Sequence, residues 1–158
     1  MWRAAVEFVA PTPALLARIA EGIRDQDRDE LVACAHPDVL AALTLSCERA
    51  TWAAVAIVDG EPACVFGCSE FGPSLCPDGV PWMLGTDLVA RHGRALQRYA
   101  PRYIAAMLRA YPRLVNLVHA RNSVAIAWLR RLGFVIHEAV PHPVTGEPFH
   151  LFEMKRHV

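Results

Sequence analysis

Hydrophobic and polar positions along the chain follow two periods, one typical of strands and one of helices. Segments rich in β-branched and aromatic residues, bounded by turn residues, predict strands at 4–9, 52–58, 62–68, 80–84, 114–118, 134–140 and 149–154. Apolar residues three or four positions apart predict helices at 13–23, 24–34, 39–47, 87–111 and 123–132. The pattern therefore predicts a chain in which helices are inserted between the strands of a largely antiparallel sheet.

Turn and cap residues mark several boundaries of these elements. Thr12 can cap a helix whose first position is Pro13. The dipeptide at 59–60, Asp-Gly, is the strongest short hairpin signal. Pro101 should kink or divide the long helix, and Gly133 offers the left-handed residue that ends a helix. These signals predict where the elements end as well as which elements form.

Composition and charge exclude some classes of function. The 158 residues suit one domain, 1–158, and 54% are hydrophobic. The formal net charge is zero, so no global field attracts nucleic acid or an anionic membrane. A basic segment followed by an apolar run is absent from the N-terminal region, and no apolar stretch reaches spanning length. We expect a soluble, cytoplasmic protein.

Two groups of charged residues stand out in the sequence. The dense run at 24–30 is typical of the solvated start of a helix. A set of arginines could present a basic face to nucleic acid: Arg91, Arg94, Arg98, Arg102 and Arg109. Because the whole chain is neutral, nucleic-acid binding is the least favoured function.

The five cysteines predict reduced thiols rather than disulfides, because their number is odd and no secretion signal is evident. Cys64, Cys68 and Cys76 could suggest a metal site. Their spacing is not the paired Cys-x-x-Cys of a zinc ribbon, and no histidine lies near them in sequence. We interpret them as small buried hydrophobic residues and expect no metal.

The segment 121–134 holds the most specific pattern in the chain. Asn122 stands where a helix begins, and the apolar residues at helical spacing are Val124, Trp128, Leu129 and Leu132. An ordinary interpretation makes Asn122 a helix cap whose side chain accepts from early backbone N–H groups. A second interpretation comes from the whole pattern of Asn122, Ala125, Leu132, Gly133 and Phe134.

This pattern resembles the late signature of the GNAT (Gcn5-related) N-acetyltransferase superfamily, and the order of predicted elements is similar over nearly the whole chain. The resemblance implies an α+β fold with a mixed, mostly antiparallel six- to seven-stranded sheet flanked by helices. It also implies acetyl-CoA as acyl donor. In that family the asparagine, here Asn122, helps to hold the pantetheine arm.

The resemblance implies a cofactor site near the end of the fourth strand. Backbone N–H groups from Met83 to Gly85, including Leu84, would polarise the thioester carbonyl. The family's pyrophosphate loop reads (Gln/Arg)-x-x-Gly-x-(Gly/Ala), whereas the corresponding stretch 87–96 has one glycine. Arg91, Gly93 and Arg94 are the residues expected to meet the pyrophosphate.

Acid–base chemistry is the second departure from the family pattern. Many relatives place a tyrosine seven residues after the asparagine to protonate the departing thiolate, and this chain has Leu129 there. The candidates for the base are Asp87 at the end of the fourth strand, Glu70 on a loop, and His119 beyond the fifth strand. Each also has a structural interpretation: Asp87 as an acid in the first turn of a helix, Glu70 as a solvated loop charge, and His119 as a hydrogen-bonded residue at a strand end.

Several segments are similar to GNAT-like proteins encoded by tailed bacteriophages: 81–86, 111–118, 122–134 and 146–154. Two functions follow from the resemblance. The first is an N-acetyltransferase that moves an acetyl group from acetyl-CoA to a primary amine in the host cytoplasm. The alternative is a catalytically degenerate phage protein, either a virion component or a binder of host or phage proteins. Exposed Trp2, Trp52 or Trp82 would favour the alternative.

Overall fold

The computed structural model describes residues 4–157, which form one seven-stranded sheet with helices on both faces. The strands are β1 (Val6–Val9), β2 (Trp52–Val58), β3 (Glu61–Phe71), β4 (Asp78–Gly85), β5 (Arg113–His119), β6 (Val135–Pro141) and β7 (Pro148–Lys155). The helices are α1 (Pro13–Glu21), α2 (Asp25–Ala33), α3 (Val39–Arg49), α4 (Leu88–Arg91), α5 (Gly93–Gln97), α6 (Ala100–Ala110) and α7 (Ser123–Leu132). The expected α+β class and seven-stranded sheet are confirmed.

The sheet has the strand order β1-β2-β3-β4-β5-β7-β6 and is antiparallel except where β4 meets β5. These two parallel strands pair only at Gly79 and Leu114, near their starts. Beyond that point they diverge, and the Asn116 side chain bridges them by donating to the Pro81 carbonyl at 2.9 Å. We call the space between the diverging ends the β4–β5 gap.

Two hydrophobic cores lie on the opposite faces of the sheet. One joins α1 and α3 to β2 and β3, with Leu16, Ile19, Ile23, Val39, Leu43, Val55 and Val65 buried in it. The other joins α6 and α7 to β5 and β7, with Met107, Tyr111, Leu114, Val118, Ile126, Leu129, Phe134 and Phe152 buried. Val65 and Cys68 of β3 face different cores, because side chains three positions apart on a strand point to opposite faces of the sheet.

Most predicted boundaries are confirmed. The Thr12 hydroxyl accepts from the Leu15 N–H at 3.2 Å, and Pro13 opens α1. Asp59 and Gly60 both have positive φ, 50° and 84°, which is the two-residue hairpin turn that the sequence predicts. Gly133 ends α7 with φ 98°.

The long helix predicted at 87–111 is instead three helices, α4, α5 and α6. His92 closes the first with φ −113°. Pro101 lies in the first turn of α6, where the missing N–H of a proline removes no helical hydrogen bond. Division at Pro101 is therefore confirmed, and the earlier break at His92 comes directly before Gly93.

Two expectations about side-chain burial are wrong. In α7, Val124 is 52% exposed, and Ile126 takes the inward position beside Leu129. Among the cysteines, Cys64 and Cys68 are buried as expected, whereas Cys76 is exposed on the loop before β4. Periodicity in a ten-residue helix fixes the apolar face only to about one position, and packing against the sheet selects within it.

Between residues 4 and 157, no cluster of three or more His, Cys, Asp or Glu side chains is arranged to hold a metal ion. None of the helices in this range has the length and apolar character needed to cross a membrane.

Candidate functional site in the gap between two strands

A cavity of about 350 Å³ occupies the β4–β5 gap and continues on both faces of the sheet. Trp82, Met83 and Leu84 line it from β4, and Asn116 and Val118 line it from β5. Helices close it from both sides, through Glu30, Leu31 and Ser46 on one face and Tyr103, Ala125 and Leu129 on the other. The walls are mostly apolar, so the few polar groups in them are conspicuous.

The alternation of β4 determines which of its amides face the cavity. Thr86 donates its N–H to the Ala63 carbonyl of β3 at 2.8 Å, so the residues one and three positions earlier direct their amides away from β3. Those residues are Gly85 and Met83. Both point toward β5 in the region where β5 has diverged, which exposes strand amides inside the sheet.

The Gly85 amide is already used by a buried ion pair from α2. Gly85 donates its N–H to Asp27 Oδ2 at 2.8 Å, and its carbonyl accepts from the Arg24 N–H at 2.9 Å. The Arg24 guanidinium binds the same carboxylate at 2.8 to 3.1 Å. Arg24 and Asp27 are 7% and 3% exposed. The expectation that the run 24–30 is solvated is therefore wrong at these two positions, and Met83 remains the amide directed into the gap.

Glu30 lies one helical turn after Asp27 and binds the other strand. Its Oε2 accepts from the His119 N–H at the end of β5 at 3.3 Å and from Asn122 Nδ2 at 2.9 Å. Burial raises the pKa of the Glu30 carboxyl from its usual value, against the lowering effect of these two hydrogen bonds. Helix α2 thus spans the gap, with one carboxylate on β4 and another on β5.

Asn122 has the position that the sequence predicts but uses its amide within the protein. Its Oδ1 accepts from the Ala125 N–H at 3.2 Å, so the cap interpretation is confirmed. Its Nδ2 donates to Glu30, and the residue is 4% exposed. Asn122 lines the cavity, as does Leu84. These two predicted cofactor contacts are brought together at the gap.

The three predicted base candidates do not meet at the cavity. Glu70 lies in β3 rather than on a loop, opposite Gly79 at the closed end of the gap, and accepts from the Tyr111 hydroxyl at 2.9 Å. Asp87 is exposed and precedes α4 without capping it through its side chain. His119 is 4% exposed, with Nε2 3.2 Å from Glu147 Oε2, and lines a separate surface groove of about 500 Å³ between α2 and the β6–β7 loop.

The stretch predicted to hold pyrophosphate begins directly after β4. Arg91 and Arg94 are exposed, and the surroundings of Gly93 are open, since a Cβ built there would meet nothing within 4 Å. The first amides of α4 bond locally, Leu88 to the Thr86 hydroxyl at 3.3 Å and Val89 to the Thr86 carbonyl at 3.0 Å. The amides at the start of α4 are therefore used within the chain, and the exposed side chains of Arg91 and Arg94 are cationic groups available for an anion.

Two thiols and one indole are also among the polar groups of the cavity wall. Burial raises the pKa of Cys34 to about 11 and that of Cys64 to about 12, so both stay protonated near neutral pH and are poor nucleophiles. Trp82 Nε1 is fully buried and has no hydrogen-bond partner within residues 4–157. A buried donor of this kind costs stability unless a water or ligand accepts from it.

Comparison with known proteins identifies the architecture. Neither the models of known protein families nor the curated protein sequences match the chain. Solved structures do match it. The acetyltransferase of the GNAT family from Bacillus anthracis gives a TM-score of 0.71 at 8% identity, over 97% of this chain and 96% of that chain. The chain has the GNAT fold.

Two further structures support the same assignment of the fold. The aminoglycoside N(6')acetyltransferase from Legionella pneumophila subsp. pneumophila str. Philadelphia 1 gives a TM-score of 0.69 at 12% identity, over 98% of this chain and 94% of that chain. An N-acetyltransferase from Staphylococcus aureus Mu50 gives 0.69 at 13% identity, over 96% and 98%. At these identities the similarity establishes the fold and leaves the chemistry to the residues.

Sequence reasoning missed Asp27 and Glu30, which are the acidic groups of the cavity wall. A signal for them existed. They are three residues apart, so they share one face of α2 with the apolar Leu31, whereas Asp25 and Asp29 fall elsewhere on the helix. The signal was weak because a run of seven charged or polar residues is usually solvated.

Proposed function

We propose that the protein is a GNAT-like N-acetyltransferase that moves an acetyl group from acetyl-CoA to a primary amine. The observation that supports this most directly is the cavity in the β4–β5 gap, into which β4 directs the Met83 N–H. A strand amide in a low-dielectric cavity is a preorganised donor for a carbonyl oxygen that gains negative charge during acyl transfer.

The residues present fit the acyl and pantetheine portions of acetyl-CoA. The cavity is largely apolar, which suits the methyl and methylene groups of these portions. Asn122, with both ends of its amide in use, would act by shaping the wall beside Ala125. The pyrophosphate would be met by the exposed side chains of Arg91 and Arg94 near Gly93, because guanidinium groups bind phosphate oxygens strongly.

When bound, acetyl-CoA supplies an activated thioester. The Met83 N–H donates to its carbonyl oxygen, and the apolar walls exclude water that would otherwise hydrolyse it. Burial raises the pKa of the Cys34 and Cys64 thiols and makes both poor nucleophiles, which favours direct attack by the amine. Leu129 offers no acid to the departing sulfur.

The first experiment is isothermal calorimetry with acetyl-CoA. We expect the wild-type protein to bind in the range of about 1 μM to 1 mM that is typical of enzyme substrates. The double variant Arg91→Ala/Arg94→Ala should bind roughly tenfold more weakly or worse, since it removes two cations near the phosphates. A matched control, Arg49→Ala/Arg109→Ala, removes two exposed arginines on α3 and α6 and should bind as the wild type does.

Absence of acetyl-CoA binding to a folded wild-type protein at millimolar ligand would contradict the proposal. Equal weakening in both double variants would show that general charge, and not contact with the phosphates, is responsible. If the protein binds acetyl-CoA but transfers no acetyl group to any of a panel of primary amines, acetyl-CoA remains assigned as its ligand and the proposed enzymatic activity is overturned.

A second candidate function is that of a non-enzymatic GNAT-fold protein, such as a phage virion component or a protein-binding module. The occupied Gly85 amide and the leucine at position 129 favour it, because both remove groups that a transferase could use. The tryptophans do not add support, since Trp52 and Trp82 pack against the two cores, and Trp2 lies outside the described residues. Failure to bind acetyl-CoA, with copurification on phage particles, would establish this candidate instead.

A further inference from the structure

The position of Glu30 is unusual for a carboxylate. It lies at the open end of the β4–β5 gap and lines the same cavity as Met83, Trp82 and Asn122. Two N–H donors from different elements, His119 and Asn122, hold one of its oxygens, Oε2, at 3.3 and 2.9 Å. The His119 N–H at the end of β5 and the Asn122 amide at the start of α7 therefore orient the carboxylate, whereas an exposed glutamate would be free to change rotamer.

The second oxygen, Oε1, is free. Within residues 4–157 it accepts no hydrogen bond, and the only side-chain nitrogen or oxygen there that is both fully enclosed and unpaired is Trp82 Nε1. Oε1 therefore keeps accessible surface, and Glu30 is one of the residues that line the cavity. A carboxylate on the wall of a cavity, with one oxygen held and the other accessible, has the geometry that a proton acceptor requires.

We propose that Glu30 is the catalytic base of the transferase, taking a proton from the amine acceptor through Oε1. The inference rests on the proposed function. It differs from the sequence expectation, because Glu70 and Asp87 lie away from the cavity and His119 Nε2 faces Glu147. His119 and Asn122 are then positioning residues for Glu30.

An ammonium R–NH₃⁺ transfers one proton to the Glu30 carboxylate, and the nitrogen lone pair that this releases attacks the thioester carbonyl carbon. A C–N bond forms and the C–S bond breaks, and the sulfur leaves with the bonding electron pair. The nitrogen loses its second proton to the departing thiolate, and Glu30 returns its proton to solvent.

Several groups around Glu30 set its proton affinity. Burial raises its pKa most, and the hydrogen bonds from Asn122 and His119 lower it. Among charges, Asp27 on the same helix raises the pKa and His119 lowers it, while Cys34 faces Glu30 as a neutral thiol. The net shift is upward, toward the pH range in which a carboxylate accepts protons from amines more effectively.

The test compares Glu30→Gln with wild type, using benzylamine as the acceptor probe and release of the CoA thiol as the readout. Wild-type kcat/KM should rise with pH through the raised pKa of Glu30. In Glu30→Gln, kcat/KM should fall about 10²–10⁴-fold and lose this rising limb. Acetyl-CoA affinity should change little, because the glutamine carbonyl can still accept from His119 and Asn122.

Two controls separate catalysis from structure. Glu48→Gln changes an exposed glutamate on α3 and should retain both the rate and the pH profile. Glu30→Asp keeps the charge, and it should restore part of the activity together with the rising limb. A purely structural role for Glu30 would predict the opposite ranking, because aspartate is too short to reach both N–H donors whereas glutamine is not.

An independent readout is the ¹³C carboxyl signal of Glu30 in labelled protein, with Glu30→Gln used for assignment. We expect it to titrate above the usual 4.5 and to shift when benzylamine is added. Normal titration without response to the amine, or an unchanged pH profile in Glu30→Gln, would overturn the assignment of Glu30 and leave the proposed function standing. If the wild-type protein does not bind acetyl-CoA, the proposed function itself is overturned.

Discussion

At the scale of single residues, the site depends on which backbone and side-chain groups have partners and which do not. In β4 the amides of Gly85 and Met83 face the same way, but Asp27 binds the first and the second is directed into the gap. Pro81 has the same alternation and contributes no N–H, so its carbonyl alone is used, by Asn116. Three backbone positions of β4 with the same orientation therefore differ in use: the Gly85 amide binds a carboxylate, the Met83 amide faces the gap, and the Pro81 carbonyl accepts from Asn116.

This alternation allows the Met83 amide to be removed selectively. Met83→Pro should lower kcat about 10²–10³-fold, the usual cost of losing one donor to a developing oxyanion. It should leave acetyl-CoA binding largely intact, because the amide at position 83 is not part of the β3 ladder and Pro81 shows that β4 tolerates proline at this alternation. Initial rates with benzylamine and calorimetry with acetyl-CoA measure the two effects.

Met83→Leu is the matched control, since it changes the side chain and keeps the N–H. It should retain most of the wild-type rate. Equal losses in both variants would mean that the side chain, and not the amide, contributes to transfer.

At the scale of elements, α2 acts as a brace across the gap. Its Asp27 binds Gly85 of β4 and its Glu30 binds His119 of β5, although the hydrophobic contribution of the helix is small apart from Leu31 and Ala33. The Asp27 and Glu30 carboxylates, one helical turn apart, reach the ends of β4 and β5, which no longer bond to each other. Charged residues here perform the role that strand pairing performs elsewhere in the sheet.

The brace predicts a large penalty for removing one carboxylate. Asp27→Ala leaves the Arg24 guanidinium buried without its partner and the Gly85 amide unpaired, so we expect unfolding free energy to fall by about 3–5 kcal/mol. Asp25→Ala, on the exposed first turn of α2, should cost less than about 1 kcal/mol. Urea denaturation followed by circular dichroism measures both. A difference between the two variants below about 1 kcal/mol would show that α2 is held by packing and not by this ion pair.

At the scale of the whole molecule, the sheet is unevenly protected. β3 lies between two long antiparallel partners and carries residues of both cores. β6 is an edge strand beside β7, and Val135 and Val140 on it are 57% and 54% exposed. Its pairing is also interrupted by a register shift between Ile136 and Ala139, a feature that discourages further strand pairing at an edge.

This arrangement predicts a gradient in hydrogen exchange. Amides of β3 should exchange only on global unfolding, and those of β6 should exchange faster, through local opening at the edge. Exchange followed by mass spectrometry of peptides covering residues 61–71 and 135–141 measures the gradient. Protection of β6 equal to that of β3 would indicate that the edge is covered, as it would be by self-association, and dilution would then restore its exchange.

The sequence by itself determined what depends on neighbours a few positions apart. The Thr12 and Asn122 caps, the Asp59-Gly60 turn, the Gly133 stop and the order of elements all follow from side chains that act within one turn or one hairpin. The mixed sheet followed from that order through the resemblance to a known family. Local chemistry fixes these features because each residue and its partner lie close along the chain.

Only the tertiary structure decided how the site is built. Asp27 and Gly85 are 58 residues apart, and Glu30 and Asn122 are 92 apart, so no local pattern pairs them. The same run of charges would be solvated on another helix, but here the divergence of β4 and β5 leaves strand amides unpaired, and α2 packs where its carboxylates can accept from them. Long-range placement of polar groups is fixed by what the rest of the fold leaves unsatisfied, and that is known only once the strands are in place.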